Sequence, residues 1–254
     1  MPTYLISFLA TLGGIAFAFG LGKLLGRHQR AAASEFSGQA LSLIGGVLLS
    51  SFILLTGFQV AGSWSALSTA RSRTYDEARA LTDVYWASGG LADTDRTKVR
   101  TLLMRYTDEV VSTEFPALAK GRTSPAAWRA LDDVRNAVNT AATPRSDQQV
   151  AKATAQSNLA TVYQTRADRA AEVNASMPLI TWLALLVAGG FLIAFPAILG
   201  LVDHPRNLVG LCFVGAAVAF AICLTAQLNH AFQQPFAVRP TAFTFAEARF
   251  HQMD

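Results

Sequence analysis

Ala40–Gly62 reads ALSLIGGVLLSSFILLTGFQVAG: 23 residues, no charge, and one strongly polar side chain, Gln59. At about 1.5 Å per residue a helix of this length covers roughly 30 Å of hydrocarbon, enough to span a bilayer. Trp64 follows at interface depth, where an indole buries its ring and wets its N–H. Arg71, Arg73, Asp76, Glu77 and Arg79 come next, and no proline or other stop signal intervenes before Gly89-Gly90. The stretch therefore predicts one continuous helix that leaves the membrane and enters a helical soluble domain. Its extension keeps Leu67, Ala70, Thr74, Ala78, Leu81 and Tyr85 at three- and four-residue steps, a single apolar stripe.

The charge distribution agrees. Only 15% of the 254 residues are charged, against roughly 25% in a soluble domain. Residues 63–177 hold 15 of the 21 Lys/Arg and 13 of the 17 Asp/Glu, leaving the flanks nearly bare. This partition indicates membrane-embedded ends around a soluble middle. Acids and bases alternate through that middle, which describes a solvated helical surface and not a nucleic-acid footprint.

Tyr4–Leu25 is another uncharged run except for Lys23, and its basic residues Lys23, Arg27 and Arg30 come at or after its end. That is the reverse of a signal peptide, so a retained span is expected, with Gly13, Gly14, Gly20 and Gly22 available for close helix approach. Met177–Val202, entered at Pro178 and interrupted by Pro196, and Leu208–Leu228 make the third and fourth spans. In the middle, Asp93 or Thr94 opens a helix reaching about Thr113 that Pro116 breaks. Ser124-Pro125 starts the next, which stops before Pro144. Ser146 or Asp147 opens the last, which runs through Leu159, Val162, Tyr163, Arg166 and Arg169. The tail from Asn229 carries aromatics and prolines without a clear helical pattern. The expected architecture is all-α: a polytopic membrane protein with spans one and two in 1–62, a soluble helical domain in 63–177, spans three and four in 178–228 and a tail in 229–254.

No enzyme chemistry emerges. His28, His204, His230 and His251 are scattered and lack partners at metal-ligand spacing, so neither a metal nor another cofactor is expected. Asp76-Glu77, Asp108-Glu109 and Asp132-Asp133 are acidic pairs, but neighbours on a helix diverge by about 100°. Surface charge is the expectation for all three. Asp203-His204 reads as a polar turn. Cys212 and Cys223, eleven residues apart on one helix, lie roughly 16 Å from each other, too far for a disulfide. No Asp, Glu, Arg or His falls deep in a span, which argues against proton-coupled transport. A channel needs no such group.

Gly57-Phe58 with Trp64 and Ala70-Arg71, Glu77-Ala78 with Leu81 and Tyr85, Arg105-Tyr106, Val110-Val111, Glu114-Phe115-Pro116, Ser124-Pro125, and Pro240 with Ala242-Phe243 together resemble a bacterial bestrophin-like family of membrane proteins. The family usually has Trp where Phe115 stands. Where relatives tend to show Asp-x-Pro-Phe-x-Gly, this chain has Asn229-His230-Ala231-Phe232-Gln233-Gln234. Bestrophins are pentameric anion channels with four membrane helices per subunit and a pore neck lined by the second. The corresponding pattern here is Ser51-Phe52-x-Leu54-x-x-Gly57-Phe58-x-Val60. The acidic calcium clasp of animal bestrophins is missing.

The resemblance implies an oligomeric ion channel in the cell membrane: a homo-oligomer, pentameric by that likeness, passing an inorganic ion, an anion by the same likeness. Ser50, Leu54 and Phe58 recur every four residues on one face of the second helix, with Ser51 beside them, and are the candidate pore lining. The competing expectation is that Leu54 and Phe58 pack against the third or fourth span. Gln59, facing lipid in a lone subunit, is a further reason to expect an oligomer. The alternative function is a non-conducting scaffold or sensor whose middle helices bind a partner. Four spans put the termini and the middle domain on one side. Arg27 and Arg30 after the first span favour the outside for that domain. The larger basic count of Arg71, Arg73, Arg79, Arg166, Arg169, Arg239 and Arg249, together with the resemblance, favours the cytoplasm.

Overall fold

A computed structural model describes residues 3–26, 38–173, 175, 177–199, 205–233 and 235–253. Arg27, Arg30, Asp203 and His204 lie outside the described residues. The described residues are 87% helical and contain no strand. They form nine α-helices in order: α1 Thr3–Gly26, α2 Gly38–Ser88, α3 Asp93–Glu109, α4 Phe115–Leu118, α5 Pro125–Thr140, α6 Ser146–Val173, α7 Leu179–Ile198, α8 Pro205–Leu228 and α9 Thr241–Met253. Four of them, α1, α2, α7 and α8, are long and apolar enough to cross a membrane. As the absence of a stop signal predicts, α2 runs unbroken for 51 residues. It closes where Gly89 and Gly90 donate back to the carbonyls of Trp86 and Ala87 at 3.0 and 3.2 Å.

Two compact units divide the chain. The first comprises Met1–Ser65 and Ser176–Asn229. Its core is built from Phe52 of α2, Leu185 and Ile193 of α7, and Leu211 and Val218 of α8, with Ala18 of α1 beside them. Helices α1 and α8 cross at Gly14 and Gly215. A methyl group on either glycine would run into the other's carbonyl oxygen, so only glycine permits this approach. A methyl on Gly13 or Gly20 would meet nothing within 4 Å among the described residues. Of these three α1 glycines, Gly14 is therefore the one that makes a helix crossing. Two glutamines find partners inside the unit: Gln227 donates to the Ser7 hydroxyl at 2.8 Å, and Gln59 to the Thr181 carbonyl at 3.4 Å. Gln59 is thus not left facing lipid, and the case for an oligomer cannot rest on it. Cys212 and Cys223 are both free thiols.

The second unit comprises Ala66–Ala175 and His230–Asp254. Here α2 buries Ala70, Thr74, Ala78, Leu81 and Tyr85, the expected stripe. Helix α3 begins after Ala92 with no side-chain cap, so neither Asp93 nor Thr94 caps it. Asp93 and Asp95 instead sit in its first turn, where the helix dipole favours acids. Pro116 does not break the helical run. Val110–Glu114 winds as a π turn in which the Phe115 N–H reaches back to the Val110 carbonyl, and the chain continues helically to Leu118. The stop comes at Gly121, whose φ of 71° is left-handed. Its N–H bonds Leu118, and that of Arg122 bonds Ala117, the two-bond ending that favours glycine at this position. Ser124 caps α5 as expected, accepting from the Ala127 N–H at 3.3 Å. The tail departs from expectation: Thr241–Met253 is a helix that buries Phe243 and Phe250, the latter stacked on Tyr85 with ring centroids 4.4 Å apart. Pro240 precedes it and Ala242, Phe243, Ala246 and Phe250 form its buried stripe, a pattern present in the sequence but obscured by interleaved aromatics.

Candidate functional site

The apolar half of α2 presents two opposite faces. Phe52 is 5% exposed in the core of its unit, whereas Leu54 and Phe58 are 61% and 70% exposed. Residues two apart on a helix diverge by about 200°, which accounts for the switch. Ser50 and Ser51 are exposed as well, and a side chain at Gly57 would meet nothing within 4 Å among the described residues. The four candidate pore residues therefore share an open side among the described residues, with most of the Leu54 and Phe58 side chains uncovered. Gly189 of α7 instead faces Phe52 and Val218.

The second unit holds a constellation that sequence reading missed. Glu77 of α2, Tyr106 of α3, Glu114 of the π turn, and Arg166 and Arg169 of α6 are all buried. Arg166 grips Glu114 with two parallel bonds of 2.6 and 2.8 Å, and also donates to the Tyr106 hydroxyl at 2.9 Å. Tyr106 in turn donates to Glu77 at 2.6 Å. Arg169 lies between the two carboxylates, 3.1 Å from each. The guanidinium of Arg166 stands 4.5 Å from the Trp128 ring and that of Arg169 5.1 Å from Phe243. Two cations meet two anions, and aromatic faces cover the rest.

Burial pushes the Glu77 carboxyl above its ordinary range, outweighing Arg169, Tyr106 and Arg166, which pull the other way. Burial and the neighbouring Glu77 push the Tyr106 phenol well up, keeping it a donor. Burial lowers Arg166, but Tyr106 and Glu114 overcome this and hold its charge firmly. Such a network brings distant segments together. It offers no open site for a substrate.

Glu77 corrects the expectation of surface charge: Asp76 is exposed and Glu77 is buried, because adjacent residues point about 100° apart. Glu77 sits three residues after Thr74 and four before Leu81, on the buried stripe. Arg166 falls four after Val162 and Arg169 three after that, the same kind of signal. Asp108, Asp132 and Asp133 are exposed, in line with surface charge.

The Bestrophin-like domain family matches residues 8–243 of this chain. The chain belongs to the Bestrophin-like family. No protein of curated function matches it by sequence. Its fold is similar to that of a bacterial Bestrophin homolog from Klebsiella pneumoniae. A mutant form is 13% identical with a TM-score of 0.67, and another crystal structure is 14% identical with 0.65. Each likeness covers 99% of this chain and 97% of the other. A further solved structure, a membrane protein carrying a substitution, is 11% identical over 96% of this chain and 98% of its own, with a TM-score of 0.68. At these identities the likeness is one of fold.

Within this Bestrophin-like chain several of the residues that carry the resemblance turn out to be neighbours. Glu77, Tyr106, Glu114, Phe115 and Phe243 all border Arg166 or Arg169. In the altered tail motif Asn229 accepts the Met177 N–H through its Oδ1 at 2.8 Å, a bond that an aspartate oxygen would equally make. Phe232 is buried edge-on against Phe115, with centroids 6.2 Å apart. The Nδ1 of His230 is buried without a hydrogen-bond partner among the described residues.

Proposed function

We propose that this chain is a subunit of an ion channel and that the open face of α2 lines its pore. The supporting observation is the exposure of Leu54 and Phe58 opposite the buried Phe52. Large apolar side chains at mid-span can face lipid, another subunit or a pore. Ser50 and Ser51 on the same side favour a water-facing surface over lipid. With several copies arranged around an axis, Leu54 and Phe58 form stacked apolar rings and Ser50 a polar one. Constrictions of this kind gate by dewetting.

The further elements of the reading come from the family likeness: a homo-oligomer, pentameric as bestrophins are, an anion as the permeating ion, and no enzymatic role. In this reading four spans put Ala66–Ala175 on the same side as both termini, and the larger basic count with the family likeness favours the cytoplasm for it. Cysteine reporters in a cysteine-free background test that topology: Ser34 should label from one side and the exposed Ser112 and Thr241 from the other. Mass measurement in mild detergent tests the oligomer, which a 27.2 kDa species would contradict. Conduction is tested by halide flux into liposomes holding purified protein, compared with empty liposomes.

A second reading, a scaffold or sensor, draws on Trp86 and Phe245, large aromatics exposed on the second unit. Silent liposomes with an intact oligomer would favour it.

A further inference from the structure

Between α1 and α8 runs an apolar groove of about 280 Å³, lined by Ile15 and Phe19 on one side and by Leu208, Val209, Cys212 and Phe213 on the other. The crossing at Gly14 and Gly215 brings the two backbones together farther along, and the larger side chains on either side of the groove leave space between them. Its walls are open to the surroundings: Phe213 is 73% exposed and Val209 56%. No polar side chain other than the Cys212 thiol lines it among the described residues.

Among the described residues, the charged side chains of α1 and α8 are all basic. Lys23 follows Phe19 by one turn and holds its ammonium 4.7 Å from the centroid of that ring, against the groove wall. Arg206 opens α8, exposed, and precedes Val209 and Phe213 by three and seven residues, the spacing of one helical face. Neither α1 nor α8 contains an Asp or Glu. An apolar channel long enough for part of an acyl chain thus ends at two cations on different helices, near the ends of spans where head groups lie. Basic residues between membrane helices recognise anionic head groups in this way.

We infer that this groove is a binding site for an anionic phospholipid, with one acyl chain between Phe19 and Phe213 and the head-group phosphate between Lys23 and Arg206. The site is independent of whether the protein conducts. A zwitterionic lipid satisfies the apolar walls but brings a choline or ethanolamine cation to the same end. Discrimination therefore rests on the two basic side chains. The Phe19 ring steadies Lys23 over the groove, and the aliphatic stems of both cations extend its apolar surface.

The test uses the full chain in mild detergent, loaded with phosphatidylglycerol or phosphatidylcholine of matched acyl chains, with retained lipid counted by native mass spectrometry. Phosphatidylglycerol should be retained about thirtyfold more tightly, the discrimination that two nearby cations supply. Lys23→Gln with Arg206→Gln should bring it down to the phosphatidylcholine level. Both positions are exposed, so folding is not at stake. Val209→Trp, which fills the groove, should reduce retention of both lipids. Equal retention of the two lipids, or indifference to the charge variant, overturns the proposal. So does displacement of the lipid by chainless glycerol phosphate, which would indicate an anion site without a lipid. Loss of the oligomer in Val209→Trp would make a second copy of the chain the occupant, and would overturn it as well.

Discussion

Arg166 holds Glu114 by two parallel bonds of 2.6 and 2.8 Å, with both side chains buried in the helical unit. Removing Arg166 leaves Glu114 with Arg169 alone, and removing Glu114 leaves two buried guanidiniums facing only Glu77, so either change takes a buried charge's main partner away. Arg166→Ala or Glu114→Ala should therefore lower stability by roughly 3–5 kcal/mol, read as a drop in the thermal midpoint in detergent. The pair Arg96–Asp93 is solvated, with the Asp93 side chain 88% exposed, and Asp93→Ala should cost no more than about 1 kcal/mol. Equal effects would mean that the buried cluster contributes little.

Glu77 titrates in the same cluster, and its sign is settled by burial. The folded state holds the Glu77 proton more tightly than a solvated carboxyl near 4.5 does. Its contribution to stability is fully present below that value and is lost as pH rises through the folded one. Glu77→Gln, which still accepts from Tyr106, should flatten this part of the profile. Thermal midpoints measured at a series of pH values from about 4 to 8 in both proteins check it. Identical slopes would place the titration elsewhere.

The α1–α8 crossing gives a paired prediction within one dipeptide. Gly14→Ala forces a methyl into the Gly215 backbone and should destabilise by about 1–3 kcal/mol. Gly13→Ala meets open space and should be neutral or slightly stabilising through helix propensity. Thermal unfolding of the two variants side by side is the measurement.

The tail helix should prove integral to the helical unit. Phe243 is buried beneath Arg169 and edge-on to Phe115 at 5.9 Å, while Phe245 is exposed. Phe243→Ala should cost roughly 3–5 kcal/mol and Phe245→Ala almost nothing. Limited proteolysis of the two variants would separate them.

Much of the architecture was legible because hydrophobic runs and their interruptions carry it. The unbroken passage of Gly62 into Arg71, the Ser124-Pro125 helix start and the Gly89-Gly90 stop are local signals, and each appears where its residues place it. Pro116 misled because a π turn next to it shifts the hydrogen-bond register, a change invisible in residue types. The buried cluster was hidden by chemistry: Glu77, Glu114, Arg166 and Arg169 count as surface residues until their positions on buried stripes are weighed against their charge. Those stripes held the clue, but which acid meets which base depends on segments 52 to 92 residues apart. For the candidate pore face, spacing placed Ser50, Leu54 and Phe58 together. Their turning away from the subunit's own core depends on where α7 and α8 pack.

Halide flux through liposomes containing the Leu54→Ala/Phe58→Ala protein tests the pore most directly. Both side chains are exposed in the subunit, so shortening them opens no cavity in its core and the protein should stay folded and oligomeric. If they form the constriction, widening it should raise flux several-fold over the unaltered protein by easing wetting. A stable, oligomeric double variant whose liposomes remain as silent as empty ones would contradict the channel itself.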